Sequence, residues 1–340
     1  MNKGNVTIKD IARELQISPS TVSRALKDHP DISPETKKTV NALAEKWNYV
    51  PNPIALSLKG GSSKIIGIVI PQIIHYFFSS VISGAEDYAN EHGYTLMIFQ
   101  SNEKYENEVK AVQTLLNSHV DGIMGSISKV TRNMEHFREI TRRNIPLVFF
   151  DRICEEMDTD RVVVDDVEGA YMAVKHLILE GKKKIIHLSG PPNLRISKDR
   201  IEGYIRALNE FRIPVHEDYI VKCDQIEEAN WIIPSLLKRN PAPDAFFSVN
   251  DLTAAQTLKI VKAHKLKVPD DISIVGFTNG QISSLTDPGL STIDQHGYEM
   301  GQEATKLLLE RLKNLSKPTQ TSVIKTELIV RGSSSHMPLN

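Results

Sequence analysis

The residues in this chain that could do chemistry fall into two groups. The first is compact. Ser20, Thr21, Ser23 and Arg24 line the polar side of a stretch whose apolar positions are Val22, Ala25 and Leu26. Short hydroxyl side chains let a helix approach a duplex closely and bond its phosphates, and an arginine can make a bidentate bond to a guanine edge. A solvated polar face on a small helical domain is the plain alternative. The second group is dispersed. Gln100-Ser101-Asn102, Ser126, Asp151-Arg152, Asp165-Asp166, Gly190-Pro191, Asn250-Asp251 and Thr278-Asn279 each follow a short apolar run. Taken singly they read as helix caps or turn formers, as Asn250-Asp251 does before Leu252. Taken together they ring one cleft if the runs are strands of parallel sheets, because such sheets bind ligands beyond their carboxyl ends. Catalytic signatures are missing. The sequence has no G-x-S-x-G, H-E-x-x-H, phosphate loop or G-x-G-x-x-G, and its eleven histidines lack ligand spacing. Neither a metal nor a cofactor is expected.

The elements that must position the first group are helical. Ile8, Ile11, Ala12 and Leu15 fall on one helix face, and Thr7 followed by Asp10 resembles a capping box. Ser18 is a good N-cap and Pro19 fits the first helical position; Ser33-Pro34 repeats the pattern ahead of Val40, Leu43, Ala44 and Trp47. Three short helices around one small core, the first two joined by a tight turn, predict a helix-turn-helix.

The second group needs strands. Ile65–Ile70, Thr95–Phe99, Gly122–Met124, Pro146–Phe150, Val162–Val164, Lys184–Leu188, Ala245–Val249 and Ile272–Gly276 are apolar runs, most of them bounded by Gly, Pro or Asp. Helical patterns lie between many of them, at Ser79–His92, Glu106–Asn117, Gly169–Glu180, Ile201–Phe211 and Leu252–His264. This alternation predicts an α/β body with doubly wound parallel sheets, and about 270 residues are enough for two such lobes.

Composition agrees. The chain has 340 residues, 41 Lys+Arg against 42 Asp+Glu, and 40% apolar residues, enough for a large core. Residues 1–60 hold nine basic and six acidic residues, a charge of +3, whereas the other 280 carry −4. A small basic head on a mildly acidic body suits a nucleic-acid-binding module on a soluble domain, although a charge of +3 on sixty residues is common. Cys154 and Cys223 are too few for a disulfide framework, although one bridge remains open. With no apolar leader at Met1 to Asp10 and no apolar run near 20 residues, a cytoplasmic protein without a membrane span is expected.

The stretches Val6-Thr7-Ile8-Lys9-Asp10-Ile11-Ala12, Ile17-Ser18-Pro19-Ser20-Thr21-Val22-Ser23-Arg24-Ala25-Leu26 and Asn48-Tyr49-Val50-Pro51-Asn52, followed by Ala55 and Leu58, resemble the lactose-repressor (LacI/GalR) family. The similarity runs from about Val6 to Arg331. It implies a transcriptional regulator, not an enzyme, that binds a pseudo-palindromic operator as a homodimer and takes a small effector between the two lobes of a periplasmic-binding-protein-like sensor. By this resemblance, Pro19, Ser20 and Arg24 occupy base-reading positions, and Thr7, Ser18, Thr21, Ser23, Ser33, Tyr49 and Asn52 occupy positions that touch phosphates. Pro19 has no donor, so direct readout should lean on Ser20 and Arg24. Residues 52–61 would form a hinge helix of about six residues, too short to persist unaided. Ala55 faces the minor groove there, and Leu58 supplies an apolar wedge. A flexible linker with one buried leucine is the simpler alternative.

The implied organisation is a head over 1–51, the hinge over 52–61, a sensor over 62–335 and a tail over 336–340. Lobe 1 takes about 62–163 and 294–322, lobe 2 about 164–293 and 323–335. The tail has no leucine heptads, so no tail-driven tetramer is expected. The resemblance puts Phe77, Phe78, Ser126, Asp151, Arg200, Asn250, Asp251, Thr278 and Gln295 in or around the effector cleft. Asp/Asn and Arg suit adjacent sugar hydroxyls, and an aromatic face suits the apolar side of a sugar ring. Thr278 stands where relatives often have an Asp, and Gln225 where several have an aromatic, so the effector's identity is not inherited. Leu194 and Ile196 stand where the purine-responsive branch has an Arg and a Thr, unless a one-residue slip brings in Arg195; this argues against a purine. A transport binding protein has no use for the helical head, and a sugar kinase or epimerase would need the missing catalytic motifs.

Overall fold

The structure is a computed structural model and describes residues 6–49 and 62–336. The expected hinge, with Asn52, Ala55 and Leu58, lies outside the described residues, as do the last four residues of the tail. The chain divides into two compact units, 1–64 and 65–340.

In the first unit, α1 (Ile8–Glu14) starts at Thr7, whose N–H and hydroxyl both donate to Asp10 Oδ2, at 3.0 and 2.6 Å. The helix ends at Gln16, held at φ 51°. Gln16 N–H donates to the Arg13 carbonyl and Ile17 N–H to that of Ala12, the left-handed exit usually given to glycine. This sharp exit sets the turn into α2 (Pro19–Leu26), where Ser18 Oγ accepts from Thr21 N–H at 3.0 Å. α3 (Pro34–Lys46) is capped in the same way by Ser33, which accepts from Thr36 N–H at 3.2 Å. Ile11, Ala12, Val22, Ala25, Val40 and Ala44 are buried together, one stripe from each helix, with Leu15, Ile17, Trp47 and Tyr49 around them.

The second unit has two lobes. Lobe 1 begins with β1 (Ile65–Ile70), α4 (Tyr76–Glu91), β2 (Thr95–Gln100), α5 (Tyr105–Asn117), β3 (Gly122–Gly125), α6 (Glu135–Arg142), β4 (Leu147–Phe150) and β5 (Asp160–Val164). Lobe 2 follows with α7 (Asp166–Leu179), β6 (Ile185–Ser189), α8 (Arg195–Glu210), β7 (Ile220–Lys222), α9 (Ile226–Leu237), β8 (Ala245–Ser248), α10 (Asp251–Ala263), β9 (Ser273–Thr278), α11 (Gln281–Leu285) and β10 (Ser291–Asp294). The chain then returns to lobe 1 for α12 (Gly297–Lys313) and β11 (Thr321–Ile324), and ends in lobe 2 with β12 (Glu327–Ile329). The sheets run β2-β1-β3-β4-β5-β11 and β7-β6-β8-β9-β10-β12. Neighbours are parallel except β10 and β12. Both lobes therefore repeat one winding, reversing at β1/β3 and at β6/β8, where ligands of such sheets bind.

The lobe boundaries differ slightly from the sequence expectation. Ile324 still pairs with Val164 in sheet 1, and Asp294 pairs with Thr278 and Glu327 in sheet 2. The hydrogen-bond ladders carry these strands past the expected crossings, so the chain changes lobes next to Asp165, Gln295 and Lys325.

The central strands β1, β3 and β4 are buried on both faces, as parallel strands covered by helices must be, whereas the apolar run of β2 lies at the sheet edge and is partly exposed. β10 is not signalled by such a run, because Ser291 and Thr292 read as turn formers. Both are fully buried, and their hydroxyls donate to the Arg331 carbonyl and to Asp251 Oδ1. Helix α12 packs on α4 at backbone distance. A Cβ at Gly84 would stand 1.9 Å from the Tyr298 carbonyl oxygen, and one at Gly301 2.0 Å from that of Val81. Arg311 on α12 grips the buried Asp160 of β5 at 2.8 and 2.9 Å.

His187 on β6 is fully buried, donates from Nδ1 to the Phe247 carbonyl at 3.1 Å and stacks on the Phe247 ring. Burial pushes its pKa from 6.5 down to about 4. A depressed histidine contributes stability that is complete above pH 6.5 and lost as pH falls from 6.5 through 4, because only the unfolded chain takes up the proton readily. We expect His187→Phe to remove that part of the acid destabilisation. Urea unfolding at pH 7 and pH 5 should show a smaller loss of stability in the variant, and equal losses would overturn the assignment.

Candidate functional site

On the head, Pro19, Ser20 and Arg24 are exposed together on α2, while Val22 and Ala25 point into the core. The Arg24 guanidinium has no hydrogen-bond or ion-pair partner among the described residues, although the Arg24 carbonyl accepts from Lys27 and His29 N–H. Ser18 Oγ lies 2.7 Å from Ser20 Oγ and 2.9 Å from Thr21 Oγ1, forming a hydroxyl cluster at the amino end of α2. A helix amino end favours an anion, since its first N–H groups lack intrahelical acceptors. Thr7 and Ser33 are exposed at their own helix starts, whereas Thr21, Ser23 and Tyr49 are half-buried. Lys37 is held by Asp28 at 2.7 Å.

In the body, the expected cleft residues sit where the two windings end. Ser126 follows β3, Asp151 follows β4, Asn250 follows β8, Thr278 ends β9 and Gln295 follows β10. Asp151 is buried at φ 57°, and Thr278 holds φ 138°, a conformation that a β-branched residue rarely adopts. The Thr278 hydroxyl donates to Gln295 Oε1 at 3.0 Å, and the ladder to Asp294 fixes its backbone. Such strain persists only where the surroundings over-determine it, and it concentrates at ligand sites. Arg200 of α8 is buried. Its Nε donates to Asp166 Oδ1 at 2.7 Å, its Nη1 donates to the Val249 carbonyl, and it lies 3.7 Å over the Phe277 ring. Burial raises the pKa of Asp166 to about 6 despite Arg200. Burial also raises that of Asp151, with Arg152 and Arg200 pulling the other way.

The lobes are bridged. Lys129 Nζ of lobe 1 meets Asp224 Oδ2 of lobe 2 at 3.2 Å, Asn193 Nδ2 donates to the Lys129 carbonyl at 3.0 Å, and Arg195 pairs with Glu155 at 2.9 Å. Lys129 is also fixed from within its own lobe, because its N–H donates to Glu103 Oε2 at 2.7 Å while Arg152 holds Glu103 Oε1 at 2.8 Å. Just before it, Ser128 N–H donates to Glu108, a fully buried carboxylate that also accepts from Thr131 and His136. A cavity lined by Ile127, Arg152, Ile153, Asn193, Leu194, Arg195 and Ile196 between the lobes has a volume of about 20 Å³. That is room for a water, against the roughly 300–1,000 Å³ of ligand clefts. None of Ser126, Asp151, Arg200, Asn250, Thr278 and Gln295 lines this void.

Known proteins share both the sequence and this architecture. Residues 7–52 match the bacterial regulatory proteins of the lacI family, and 174–334 match the periplasmic binding protein-like domain. The HTH-type transcriptional repressor CytR of Escherichia coli K12 is 32% identical over 335 residues, which is 98% of this chain and 97% of that protein. The chain belongs to the LacI family. The ribose operon repressor of Halalkalibacterium halodurans is 32% identical over 326 residues, 96% of each chain. Among solved structures, the lac repressor dimer bound to operator and an anti-inducer superposes with a TM-score of 0.84 at 23% identity, covering 97% of this chain and 99% of that one. A LacI family regulator from Enterococcus faecium with bound ribose gives 0.72 at 25%, covering 81% and 100%. As a LacI-family member, this chain is a DNA-binding transcriptional regulator and not an enzyme. Among the described residues no helix is long and apolar enough to cross a membrane, no group of side chains could hold a metal, and both cysteines are buried free thiols.

Several expected cleft residues are already committed inside this LacI-family sensor. Asp251 is spent within lobe 2, where its oxygens accept from the Thr292 hydroxyl at 2.6 Å and Gly280 N–H at 2.7 Å. It is a support for the turn after β9 and not a free ligand group. Asn250 caps α10 through Thr253 N–H and donates to the Asp224 carbonyl, leaving one N–H and one lone pair. Phe77 and Phe78 are buried in the lobe 1 core, edge to face, with Arg152 5.8 Å above the Phe78 ring. Glu103, Lys129, Asn193 and Asp224 carry no sequence signal, because only the meeting of the lobes brings them together. Lys129→Ala should weaken that meeting by about 1.5–3 kcal/mol, the usual worth of a hydrogen bond to a charged group. Small-angle scattering should show a longer interatomic distance distribution for the variant; an unchanged distribution would reject the latch.

Proposed function

We propose that this LacI-family chain is a cytoplasmic repressor that binds a pseudo-palindromic operator as a homodimer and responds to a sugar or sugar derivative in the interlobe cleft. The observation that carries the DNA half is the outward face of α2, where Pro19, Ser20 and the unpartnered Arg24 guanidinium are exposed side by side. Ser20 and Arg24 read base edges in the major groove. Thr7, Ser18, Thr21, Ser23, Ser33, Tyr49 and Asn52 bond phosphates, and Ala55 and Leu58 enter the minor groove. Two recognition helices on a two-fold axis require two half-sites. Ile73 and Ile74, exposed in the loop whose Ile73 N–H donates to Gln100 Oε1 at the end of the edge strand β2, together with the exposed Ile98 of β2, offer an apolar face for the second subunit.

The effector half rests on the strand-end polar groups of both lobes: Ser126 and Asp151 on one side, Arg200, Asn250, Thr278 and Gln295 on the other. The ribose-bound neighbour supports a sugar. An effector that touches both lobes can favour the closed arrangement only by binding it more tightly. Coupling of about 1–3 kcal/mol is typical, and operator must change effector affinity by the same factor.

Arg24→Ala is expected to cost about 1–3 kcal/mol of operator binding and to relax preference at one base per half-site. Binding selections on randomised duplexes check this, and unchanged selectivity would reject the assignment. Arg200→Ala should abolish the effector response while leaving ligand-free operator affinity near normal. Operator titrations with and without an effector found by thermal shift decide it, since a variant that responds like the wild type contradicts the pocket.

A further inference from the structure

We propose that Lys37 is a positioning residue for operator recognition: together with Asp28 it clamps the end of α2 onto α3, and this clamp sets sequence discrimination instead of general attraction to DNA. The proposal rests on the reading of α2 as the base-reading helix and adds a residue that need not touch the duplex.

α2 ends in a left-handed turn. Asp28 holds φ 53°, where glycine is the usual residue. Its N–H donates to the Ala25 carbonyl at 3.1 Å, and His29 N–H donates to the Arg24 carbonyl at 3.0 Å. These two bonds make a Schellman closure, and the backbone of Arg24 is part of it. Whatever holds Asp28 therefore also holds the turn that carries the Arg24 guanidinium.

Lys37 holds Asp28 from the next helix. Its Nζ lies 2.7 Å from Asp28 Oδ1 and donates to the Asp28 carbonyl at 3.2 Å. The Asp28 side chain is 90% exposed, so the attraction of the charges alone is worth little. What the pair supplies is geometry, because two bonds to one residue fix its place. α2 and α3 already share the buried core through Val22, Ala25, Val40 and Ala44. The clamp adds a second point of attachment at the end of α2, and two points fix an angle that one does not. Lys37 also differs from its neighbours. Lys9, Arg13, Arg24, Lys27, Lys38 and Lys46 are exposed, whereas Lys37 is half-buried, the only such cation among the described residues of the head.

The experiment uses the full-length protein and two probes, the duplex that the wild type enriches from a randomised pool and a scrambled duplex of the same composition, over a range of salt. Lys37→Met and Asp28→Ala change the charge of the head in opposite directions, so a charge effect would move binding to the scrambled duplex in opposite directions too. The clamp predicts that both variants lower the preference for the selected duplex by about tenfold, the scale of one lost base contact. Lys37→Arg keeps the donors and should keep the preference. Asp28→Gly takes the left-handed turn unaided, so Lys37→Met in that background should cost less than about threefold. Limited proteolysis checks that the head is folded; where Lys37→Met unfolds it, the Asp28→Gly/Lys37→Met double variant must restore both protection and preference. A Lys37→Met variant that weakens both duplexes alike and lowers the salt slope by about one marks a phosphate contact and overturns the proposal. A double variant no more selective than Lys37→Met alone overturns it as well. Arg24→Ala separates the two readings. Unchanged selectivity in that variant, or a wild type that enriches no duplex, overturns the reading of α2 and the clamp with it. Relaxed selectivity in Arg24→Ala beside normal selectivity in Lys37→Met overturns the clamp alone.

Discussion

A charge taken between two protein lobes has to bring its counter-charge with it. Dehydrating an ion costs several kcal/mol unless a partner and further hydrogen bonds meet it there. Much of the body's detailed geometry follows from this requirement. Arg200 finds Asp166 at the first turn of α7 and the Val249 carbonyl at the end of β8, so one guanidinium ties together three segments that are far apart in sequence. Glu103 does the same within lobe 1, joining the loop after β2 to Arg152 after β4 and to the Lys129 backbone after β3. Asp251 joins α10, the turn after β9, and β10. The strand ends are positioned by these pairs as much as by the sheets that carry them.

The same requirement explains which parts of the molecule can be read from sequence. The head is legible because its signals are local. Ser18-Pro19 and Ser33-Pro34 announce helix starts within two residues, and the spacing of Val22 and Ala25 fixes which side of α2 remains outside. Gln16 is the exception, since its left-handed turn occupies a position where glycine would be the readable choice. The central strands are legible because parallel strands covered on both faces must be apolar throughout. β10 is not, because its buried hydroxyls depend on Arg331 and Asp251. β7, β11 and β12 are short or lie at sheet edges, where pattern is weak.

The cleft divides along the same line. Asp151, Asn250 and Thr278 can be picked out because each follows an apolar run, a relation confined to a few residues. Their actual commitments cannot. Asn250 and Asp251 are adjacent and chemically similar, yet one keeps spare hydrogen-bonding capacity and the other has both oxygens engaged inside lobe 2. That difference is set by Thr292 and Gly280, some thirty to forty residues away. The bridge made by Lys129, Asn193 and Asp224 spans 95 residues and belongs to neither lobe alone.

The three changes of lobe also set an order of events during synthesis. Lobe 1 is begun first, but α12 and β11 reach it only after all of lobe 2 has been made, apart from β12. Until then Val81 and Ala85 of α4, and the glycine seat at Gly84, have no Met300 or Ala304 to receive. At about 5–20 residues per second, the roughly 200 residues between α4 and α12 leave that apolar surface bare for some ten to forty seconds on the ribosome. Lobe 2 in turn waits for β12 and for Arg331 and Ser333, which bond Ser291 and Ile274. The stretch from 297 to 334 therefore completes both lobes, lobe 1 just ahead of lobe 2.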